Sequence, residues 1–464
     1  MRPFLLAILA IAPACAYDSP RYDRLRRAAS APMERLPSPS SRHGQRPRDL
    51  LDATPVFENR TQIALEDYLA EVQSRNPTLA AARHALEAAI ARYPEVTALG
   101  DPMLGYAVAP ASIGSDAVGF SQRIELSQRI PWPGKLGLRG DMALSEAEAK
   151  QADLRTARDQ LVREATSAFV RFYYIYRAIE INEVNKAILQ EFRRAAETRY
   201  AAGTASKQDA LQAEVAYDHL LHRGIVLERM RRVGQGQLNV LLNRTPTADL
   251  PPPPQVLGVP GDRRPLEELL DRSLSTRPEL AALLYRLEGQ EAALALARKE
   301  HYPDFTVMGG YNSLWQEDDL RPIVGFGINI PLQRSRRHGA VDRAAADVLR
   351  LRAQIAELTT KVALEVQESY ELVVEAEHVL HLYRTELVPA ADENLEAARS
   401  AYAAGEIDFL SLLTAERSLM EAQLAHQESL AGYHERFADL ERAVGLPSAA
   451  AELEGEGREG ERDE

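Results

Sequence analysis

The sequence predicts an α+β membrane protein made of one structural unit that occurs twice. Three observations predict this fold class. Similar segments recur about 200 residues apart, long stretches contain almost no helix-breaking residue, and short stretches alternate apolar with polar residues. The recurrence indicates a duplication, the unbroken stretches predict long α-helical hairpins, and the alternation predicts pairs of β-strands.

The duplication is visible in two pairs of motifs. "LEDYLAEVQSRNPTLAAA" starts at Leu65 and resembles "LEELLDRSLSTRPELAAL", which starts at Leu266. "RYAAGTASKQDALQAE" starts at Arg199 and resembles "AYAAGEIDFLSLLTAE", which starts at Ala401. We therefore expect a first structural repeat over residues 61–248 and a second over residues 263–446. The proline-rich stretch 249–262 is expected to be an extended linker.

The two ends of the chain differ in character from the repeats. Residues 1–16, "MRPFLLAILAIAPACA", have a basic start, an apolar run and small residues, as a secretory signal peptide does. Cys15 either receives a lipid after cleavage or leaves with the signal peptide. Residues 17–60 are expected to form an extended arm, and the charged tail 447–464 is expected to be disordered.

The composition restricts the class of partner. The formal net charge of -13 disfavours nucleic acid, which binds a basic face. Cys15 is the only cysteine, so an intramolecular disulfide is excluded. The fold must therefore be stabilised by packing or by assembly.

Each repeat is predicted to run in the order helix, strand pair, long helix, long helix. Residues 138–200 contain no proline, so the first long helix would measure roughly 90 Å at 1.5 Å per residue. Its counterpart covers residues 339–401, where Pro389 should cause a kink or a break. Tyr-Ala-Ala-Gly ends each long helix, and residues 207–243 and 408–444 run back as the second arms of two hairpins. An ordinary coiled coil has the same helical periodicity.

The strand signal has a period of two. In residues 118–130 one face carries Val118, Phe120, Ile124, Leu126 and Ile130, and in the second repeat Val324, Phe326, Ile328 and Ile330 alternate with small or polar residues. Partner strands are predicted near residues 102–109 and 304–315. One apolar and one polar face is typical of membrane-barrel strands, although a soluble sandwich with one buried face has the same pattern.

Four strands are too few to enclose a wet lumen, and an open sheet edge is costly in lipid. The chain is therefore expected to assemble with copies of itself, strand edge to strand edge. The polar strand face would line the barrel lumen, and the residues where strand becomes helix would allow a sharp change of path. The predicted lumen residues are Arg123, Glu125, Arg129 and Asn329, and the predicted transition residues are Pro131, Pro133, Gly134 and Pro331.

Taken together, these features resemble the TolC-type outer-membrane efflux proteins of Gram-negative bacteria. The resemblance rests on the duplication, on the strand ends "RIPWPGKLGLRG" and "INIPLQRSRRHG", and on the two Tyr-Ala-Ala-Gly hairpins. It implies a homotrimer with a twelve-stranded transmembrane β-barrel continued by a periplasmic α-helical barrel. It also implies a periplasmic adaptor protein and an inner-membrane, proton-driven pump as partners, besides outer-membrane lipid. "IPWPGKLGLR" resembles the subgroup that serves heavy-metal efflux.

The resemblance implies a hairpin-tip pattern, Tyr-x-x-Gly followed by Asp and Leu, that contacts the adaptor and gates the duct. Ser411 replaces the Asp in the second repeat, and Thr414 stands where some relatives have another acid, which puts an acidic gate there in doubt. Glu406 and Asp408 are an alternative acidic ring, with raised pKa values if three copies crowd together, or they simply solvate the turn. Asp209 could equally cap the returning helix. The candidate tip residues are Tyr200, Gly203, Asp209, Leu211, Tyr402, Gly405, Glu406, Asp408 and Leu413.

The remaining polar motifs predict no chemistry. His219 with His222, and His378 with His381, are spaced like solvated helix faces or a metal relay in the lumen. Glu375 and His378 form one Glu-x-x-His motif, whereas a di-iron bundle needs two. We expect neither catalysis nor a cofactor. The sequence thus predicts a passive exit duct for solutes, with metal cations as a possible cargo. The alternatives are a channel for protein export and a periplasmic coiled-coil scaffold without a pore.

Overall fold

The computed structural model describes residues 19–29, 56–57, 60–114, 116, 119–203, 206–259, 264–315 and 317–446. The signal peptide, Cys15, Val118 and the tail 447–464 lie outside the described residues, so the predictions made for them stay predictions. The chain divides into two compact units. Of the described residues, the first contains those in 19–29, 82–154 and 278–358, and the second contains those in 56–81, 155–277 and 359–446. Each unit therefore takes segments from both sequence repeats.

The first unit contains an antiparallel sheet of four strands, β1 to β4, in sequential order. Each strand pair is joined through a short 3₁₀ turn, Pro110–Ser112 or Asp318–Leu320, and β2 pairs with β3, so the two repeats share one sheet. The strands are shorter than most of the predicted stretches, and β2 begins only at Gln122, because the backbone N–H of the preceding Ser121 binds the Ser112 hydroxyl. The strands are β1 Met103–Val108, β2 Gln122–Ile130, β3 Phe305–Asn312 and β4 Pro322–Ile328.

The strand register confirms that the sheet has one apolar face. Rows of partners on that face are Tyr106–Ile124–Tyr311, Leu104–Leu126–Gly309–Val324, Val307–Phe326 and Ile130–Phe305–Ile328. Much of the face is uncovered, since Val324 and Phe326 are 77% and 66% exposed. A sheet with an exposed apolar face needs a covering layer of lipid or protein.

The helices of the described residues follow the predicted order with two differences. One helix is added near the start, and the single helix predicted before each strand pair is two helices, the second of which begins at Pro77 or Pro278. Among the helices of the described residues, none is both long enough and apolar enough to cross a membrane. The helices are α1 Pro20–Ala29, α2 Leu65–Arg75, α3 Pro77–Thr97, α4 Lys135–Ala201, α5 Lys207–Leu241, α6 Leu266–Thr276, α7 Pro278–Lys299, α8 Arg334–Leu382, α9 Val388–Ala404 and α10 Phe409–Val444.

Helix α1 corrects the expectation of an extended arm at residues 20–29, while residues 30–55 lie outside the described residues. Leu25 is buried in a cluster with residues of α3 and α4, and Tyr22 stacks on Tyr93 at a ring distance of 4.8 Å. The Arg21 guanidinium donates to both carboxylates of Glu148, in α4, and Glu288, in α7. Contacts with residues far along the chain therefore hold this helix, whose own sequence is too polar to predict it.

The long helices match the prediction and show how their irregular residues are accommodated. Helix α4 is continuous over 67 residues. A Cβ at Gly140 would lie 2.8 Å from the Thr97 methyl group and 3.0 Å from the Tyr93 ring, so the missing side chain lets α3 approach α4. At Pro389 the predicted irregularity is a π-helical segment, Tyr383–Leu387, between α8 and α9. The wider turn removes the need for the hydrogen bond that proline cannot donate.

Candidate functional site

The second hairpin tip joins α9 to α10 through Gly405–Asp408. Gly405 has a φ of 80° and its N–H donates to the Tyr402 carbonyl at 3.1 Å, while the N–H of Glu406 donates to the Ala401 carbonyl at 2.9 Å. Asp408 caps α10, since its carboxylate accepts from the backbone N–H of Ser411 at 2.9 Å. A left-handed glycine followed three residues later by an N-cap residue makes the turn tight.

The first hairpin tip joins α4 to α5. Gly203 has a φ of 71° and its N–H donates to the Tyr200 carbonyl at 2.9 Å. Ser206 is the N-cap residue of α5, and its hydroxyl accepts from the backbone N–H of Asp209 at 3.3 Å and donates to the Asp209 carboxylate at 2.8 Å. Asp209 is thus the third residue of the helix, which corrects the suggestion that it caps α5 itself.

The two tips differ in burial. Tyr402 is 7% exposed and Leu413 is 8% exposed, whereas Tyr200 and Leu211 are each about half exposed. Tyr402 packs edge-on against Phe409 at a ring distance of 5.7 Å. The corresponding residue of the first tip is Lys207, which offers no aromatic partner. Tyr402, Phe409 and Leu413 of the second tip thus lie in an apolar core that both hairpins share, whereas Tyr200 and Leu211 of the first tip face outward.

Arg199 connects the tips and was not singled out from the sequence. Its guanidinium carbon lies 4.7 Å from the centre of the Tyr402 ring, and its Nη1 donates to the Tyr402 carbonyl. Burial raises the pKa of Tyr402, Arg199 opposes that shift and Asp209 adds to it. A signal for this residue exists in the duplicated motif, since "RYAAG" has arginine where "AYAAG" has alanine.

The acidic residues of the second tip do not behave within one chain as a crowded ring would. Glu406 and Asp408 are both exposed. Hydrogen bonds from the side chain and backbone of Ser411 lower the pKa of Asp408. This direction is the reverse of the one expected from crowded carboxylates. Asp408 is engaged in capping, and the tip-ring hypothesis stays a prediction.

A buried acid lies beneath the tips in α10. Glu416 is 3% exposed, and one of its carboxylate oxygens has no hydrogen-bond partner in the described part of the chain. Burial raises the pKa of Glu416 to about 7, although Arg417 and Arg399 oppose the shift. The helical period could have revealed it, because Glu416 follows buried Leu412 by four residues and precedes buried Leu419 by three.

Asp304 is the centre of the polar network at the strand-to-helix transition. Its carboxylate accepts from Lys135 Nζ at 2.9 Å, from the Trp132 backbone N–H at 3.0 Å and from Arg129 at 2.7 Å. Lys135 is 1% exposed and also donates to the Tyr302 carbonyl at 3.1 Å. The sequence analysis did not identify Asp304 or Lys135.

The electrostatic balance of this network keeps Asp304 charged. Burial alone would favour the neutral acid, but the hydrogen bonds from Lys135, the Trp132 backbone and Arg129 outweigh it and hold the pKa of Asp304 at about 2. Breaking a buried pair of this kind leaves a charge without compensation. Lys135 and Asp304 thus tie the start of α4 to the start of β3.

The predicted transition and lumen residues surround this network. Gly134 has a φ of 85°, and Lys299 Nζ occupies the space of its absent side chain while donating to the Pro133 carbonyl at 3.1 Å. Pro131 and Pro331 are half-buried beside the ends of β2 and β4.

Asn329 accepts from the backbone N–H of Asp304. Arg123 pairs with Glu125 on the polar face of β2. The structure thus brings Arg129 and Asn329 to Asp304 and pairs the other two lumen candidates.

The histidine motifs gain no partners that would make a metal centre. In the described ranges, no group of three or more His, Cys, Asp or Glu side chains could hold a metal ion. His219 and His222 are exposed on α5, and His378 and His381 are exposed on α8. The geometry of the tips and of the transition provides helix caps, ion pairs and a packed core.

Comparisons with known proteins give the same architecture. The sequence profile of the outer membrane efflux protein family matches residues 68–243 and again residues 269–446, which is more than half of the chain. The cobalt-zinc-cadmium resistance protein CzcC of Cupriavidus metallidurans is 24% identical over 324 residues, which are 67% of this chain and 74% of that protein. The pyoverdine export outer membrane protein OpmQ of Pseudomonas aeruginosa is 24% identical over 362 residues, which are 74% of this chain and 73% of that protein.

The fold is also that of a solved outer-membrane protein. The crystal structure of the outer membrane protein VceC from Vibrio cholerae superimposes with a TM-score of 0.68. The two sequences are 20% identical, and the match covers 82% of this chain and 96% of VceC. At this identity the likeness establishes the fold.

Proposed function

The chain belongs to the outer membrane efflux protein family, and from this premise we propose that it is the exit duct of a tripartite efflux system for divalent metal cations. Its location is the outer membrane, with the helical part in the periplasm. The observation that carries the proposal is the four-stranded sheet whose apolar face is exposed and whose strands lead into helices of up to 67 residues. The duct is passive, and the energy for transport comes from the pump.

Three copies closing into one barrel would account for the strand edges. Within one chain β1 and β4 each have a neighbour on one side only. Unpaired backbone groups cost several kcal/mol each in a bilayer, so β1 of one copy should pair with β4 of the next. Three copies would give a barrel of twelve strands. Its outer face would be the apolar face of the sheet, and its wet inner face would carry Arg123 and Glu125.

The hairpin tips are the proposed contact with a periplasmic adaptor. The first tip exposes Tyr200 and Leu211, each about half exposed, and the described structure buries neither of them. Exposed aromatic and aliphatic side chains are suited to the buried centre of a protein interface. The second tip buries Tyr402 and Leu413 in the core shared by the two hairpins and exposes Leu410. The adaptor is therefore proposed to contact the first tip and to shift the Arg199–Tyr402 link at the second.

The proposed cargo rests on similarity and on charge. One relative is named for cobalt, zinc and cadmium resistance, and the formal net charge of this chain is -13. Three acidic copies around one lumen would raise the local concentration of cations. The other relative is named for pyoverdine export, so an organic cargo is the alternative outcome of the test.

Two measurements test the proposal. Purified protein added to planar lipid bilayers should give ion conductance, and a clean absence at high dose would favour a scaffold without a pore. Deletion of the gene should sensitise the cell to cobalt, zinc or cadmium salts. Sensitivity to organic compounds alone, or a defect in protein export with normal metal tolerance, would reject the metal cargo while keeping the duct.

A further inference from the structure

The first turn of α8 carries arginines at the end of the helix where acids are normally favoured. Arg334, Arg336 and Arg337 lie in or next to this turn, which contains no acidic residue. The positive end of the helix dipole makes three nearby cations unfavourable. Arg334 and Arg336 are exposed, and their side chains have no hydrogen-bond or ion-pair partner in the described parts of the chain. The turn therefore lacks compensating negative charge.

A second basic segment lies against this turn. Arg337 donates to the backbone carbonyl of Glu300 at 2.8 Å, and the His301 and His338 rings are 5.5 Å apart. Lys299 donates only to a backbone carbonyl, that of Pro133. We call Lys299, Arg334, Arg336 and Arg337 the basic surface. Its ammonium and guanidinium groups make no ion pair within the described residues, whereas exposed arginines such as Arg264 and Arg352 pair with acids.

The residues next to the basic surface are apolar and exposed. Ile328, Ile330 and Leu332, which precede the arginines along the chain, are 50%, 71% and 80% exposed. Trp132 stacks on Tyr302 at 5.1 Å and on Phe305 at 5.5 Å, and Phe305 belongs to the apolar face of the sheet. Membrane proteins show this order across the boundary from lipid chains to headgroups: apolar strand residues come first, then aromatic rings, and then basic residues.

We propose that the basic surface binds the phosphate of an anionic phospholipid headgroup, phosphatidylglycerol, in the leaflet that contacts the end of the sheet. The inference rests on the proposed function in one respect, that the apolar face of the sheet lies in the bilayer. Arginines bind phosphate with charge-assisted hydrogen bonds, and each basic residue near an anionic surface adds about 1 kcal/mol of attraction. The bound headgroup would supply the negative charge that the first turn of α8 lacks.

Trp132 is a suitable reporter because the chain has only two tryptophans, Trp132 and Trp315. In a Trp315→Phe background, the full-length protein is reconstituted in vesicles that contain brominated phosphatidylglycerol or brominated phosphatidylcholine. Quenching of Trp132 fluorescence then reports which lipid lies at this boundary. We expect preference for phosphatidylglycerol. Replacing Arg334 and Arg336 by glutamine should lower that preference by about fivefold per arginine removed.

Matched variants separate charge from damage to the fold. Arg334→Lys with Arg336→Lys keeps the charge and should keep most of the preference. Arg194→Gln with Arg232→Gln makes the same charge change at two exposed arginines of the second unit and should leave it unchanged. Trp315 lies next to the acidic turn Asp318–Leu320. In a Trp132→Phe protein, quenching of Trp315 fluorescence should therefore show no preference for phosphatidylglycerol.

The outcomes distinguish this inference from the proposed function. Equal quenching by both lipids would overturn the basic-surface proposal and leave the membrane-inserted duct intact. No quenching of Trp132 by either lipid would contradict insertion and thus the proposed function itself. Loss of the preference on adding inorganic phosphate would show a free-anion site, which also overturns the lipid proposal. An equal loss in the Arg194 and Arg232 control would do the same.

Discussion

The guanidinium of Arg199 covers the ring of Tyr402, with 4.7 Å between the guanidinium carbon and the ring centre, and so joins the first hairpin tip to the second. The same guanidinium donates to the Tyr402 carbonyl, next to the glycine turn. Phe409 also packs edge-on against Tyr402. Since the contact links two hairpins that are far apart in sequence, it is well placed to hold the tips together.

Replacing Arg199 by glutamine should loosen the tips. The change removes a cation–π contact, worth about 0.5–2 kcal/mol, and weakens a charged hydrogen bond. We expect the open probability in planar bilayers to rise by roughly tenfold, the equivalent of about 1.4 kcal/mol. Arg193→Gln is the matched control, because Arg193 pairs with Glu197 on its own helix. Unchanged gating in Arg199→Gln would remove the link from any role in opening.

Substitutions of Tyr402 can test the roles of its ring and of its hydroxyl separately in the same bilayer measurement. Its hydroxyl is buried and has no hydrogen-bond partner among the described residues. Tyr402→Phe should therefore keep the closed state and be neutral or stabilising, since it removes an unsatisfied polar group. Tyr402→Leu should behave like Arg199→Gln. A large effect of Tyr402→Phe would show that the hydroxyl finds a partner in the assembled protein.

Gly405 should be sensitive to substitution because of its backbone conformation. A Cβ there would meet only the Arg199 Nη2 atom, at 3.5 Å, so there is space for it. The φ of 80° nevertheless costs an L-residue about 1–2 kcal/mol. Gly405→Ala should lower the unfolding temperature. Gly339→Ala, in a helix with open space around it, should raise it, and a matching decrease in both would contradict the explanation.

Periodic features of the fold could be predicted from the sequence, and contacts between distant residues could not. The hairpins, the strand faces and the irregularity at Pro389 follow from local patterns, so they agree with the structure. Helix α1 was missed because Arg21 finds Glu148 and Glu288 far along the chain. Its only local signal is the spacing of Tyr22, Leu25 and Ala29 at three and four residues.

The residues of the candidate site also divide into those that local patterns predict and those that only contacts between distant residues bring together. The glycines of the tips were predicted from the duplicated motif, and both have the left-handed conformation. Asp304 and Lys135 are separated by 169 residues, and no sequence spacing indicates that they meet. Arg129 and Asn329 were predicted on a wet surface from their strand period, and both are exposed. The strand period did not show that both also bind Asp304.

Glu416 should make stability depend on pH. Its ordinary pKa of 4.5 is raised to about 7 in the folded protein. A raised pKa means that the folded state holds the proton more tightly, so stability is fully present below about pH 4.5 and falls as the pH rises to about 7. The free energy of unfolding falls by at most about 3 kcal/mol.

Glu416→Gln should abolish this dependence of stability on pH and raise the unfolding temperature at pH 8. Glu421→Gln, exposed on the same helix, should change neither, and a fall retained in Glu416→Gln would reject the assignment.

Asp304 should show the opposite dependence on pH, and its mutation should destabilise the protein at neutral pH. Its pKa is lowered to about 2, so its contribution is present above about pH 4 and is lost as the pH falls through about 2. Asp304→Asn at neutral pH leaves buried Lys135 with Glu300, 3.4 Å away, as its remaining carboxylate. We expect the free energy of unfolding to fall by about 3 kcal/mol, measured by thermal unfolding in detergent.

A second change, Lys135→Met, should restore most of this stability, because the uncompensated charge is then removed. Asp101→Asn is the control for an exposed acid near the sheet. If Asp304→Asn were as stable as this control, or if Lys135→Met gave no rescue, the ion pair would not hold the strand to the helix.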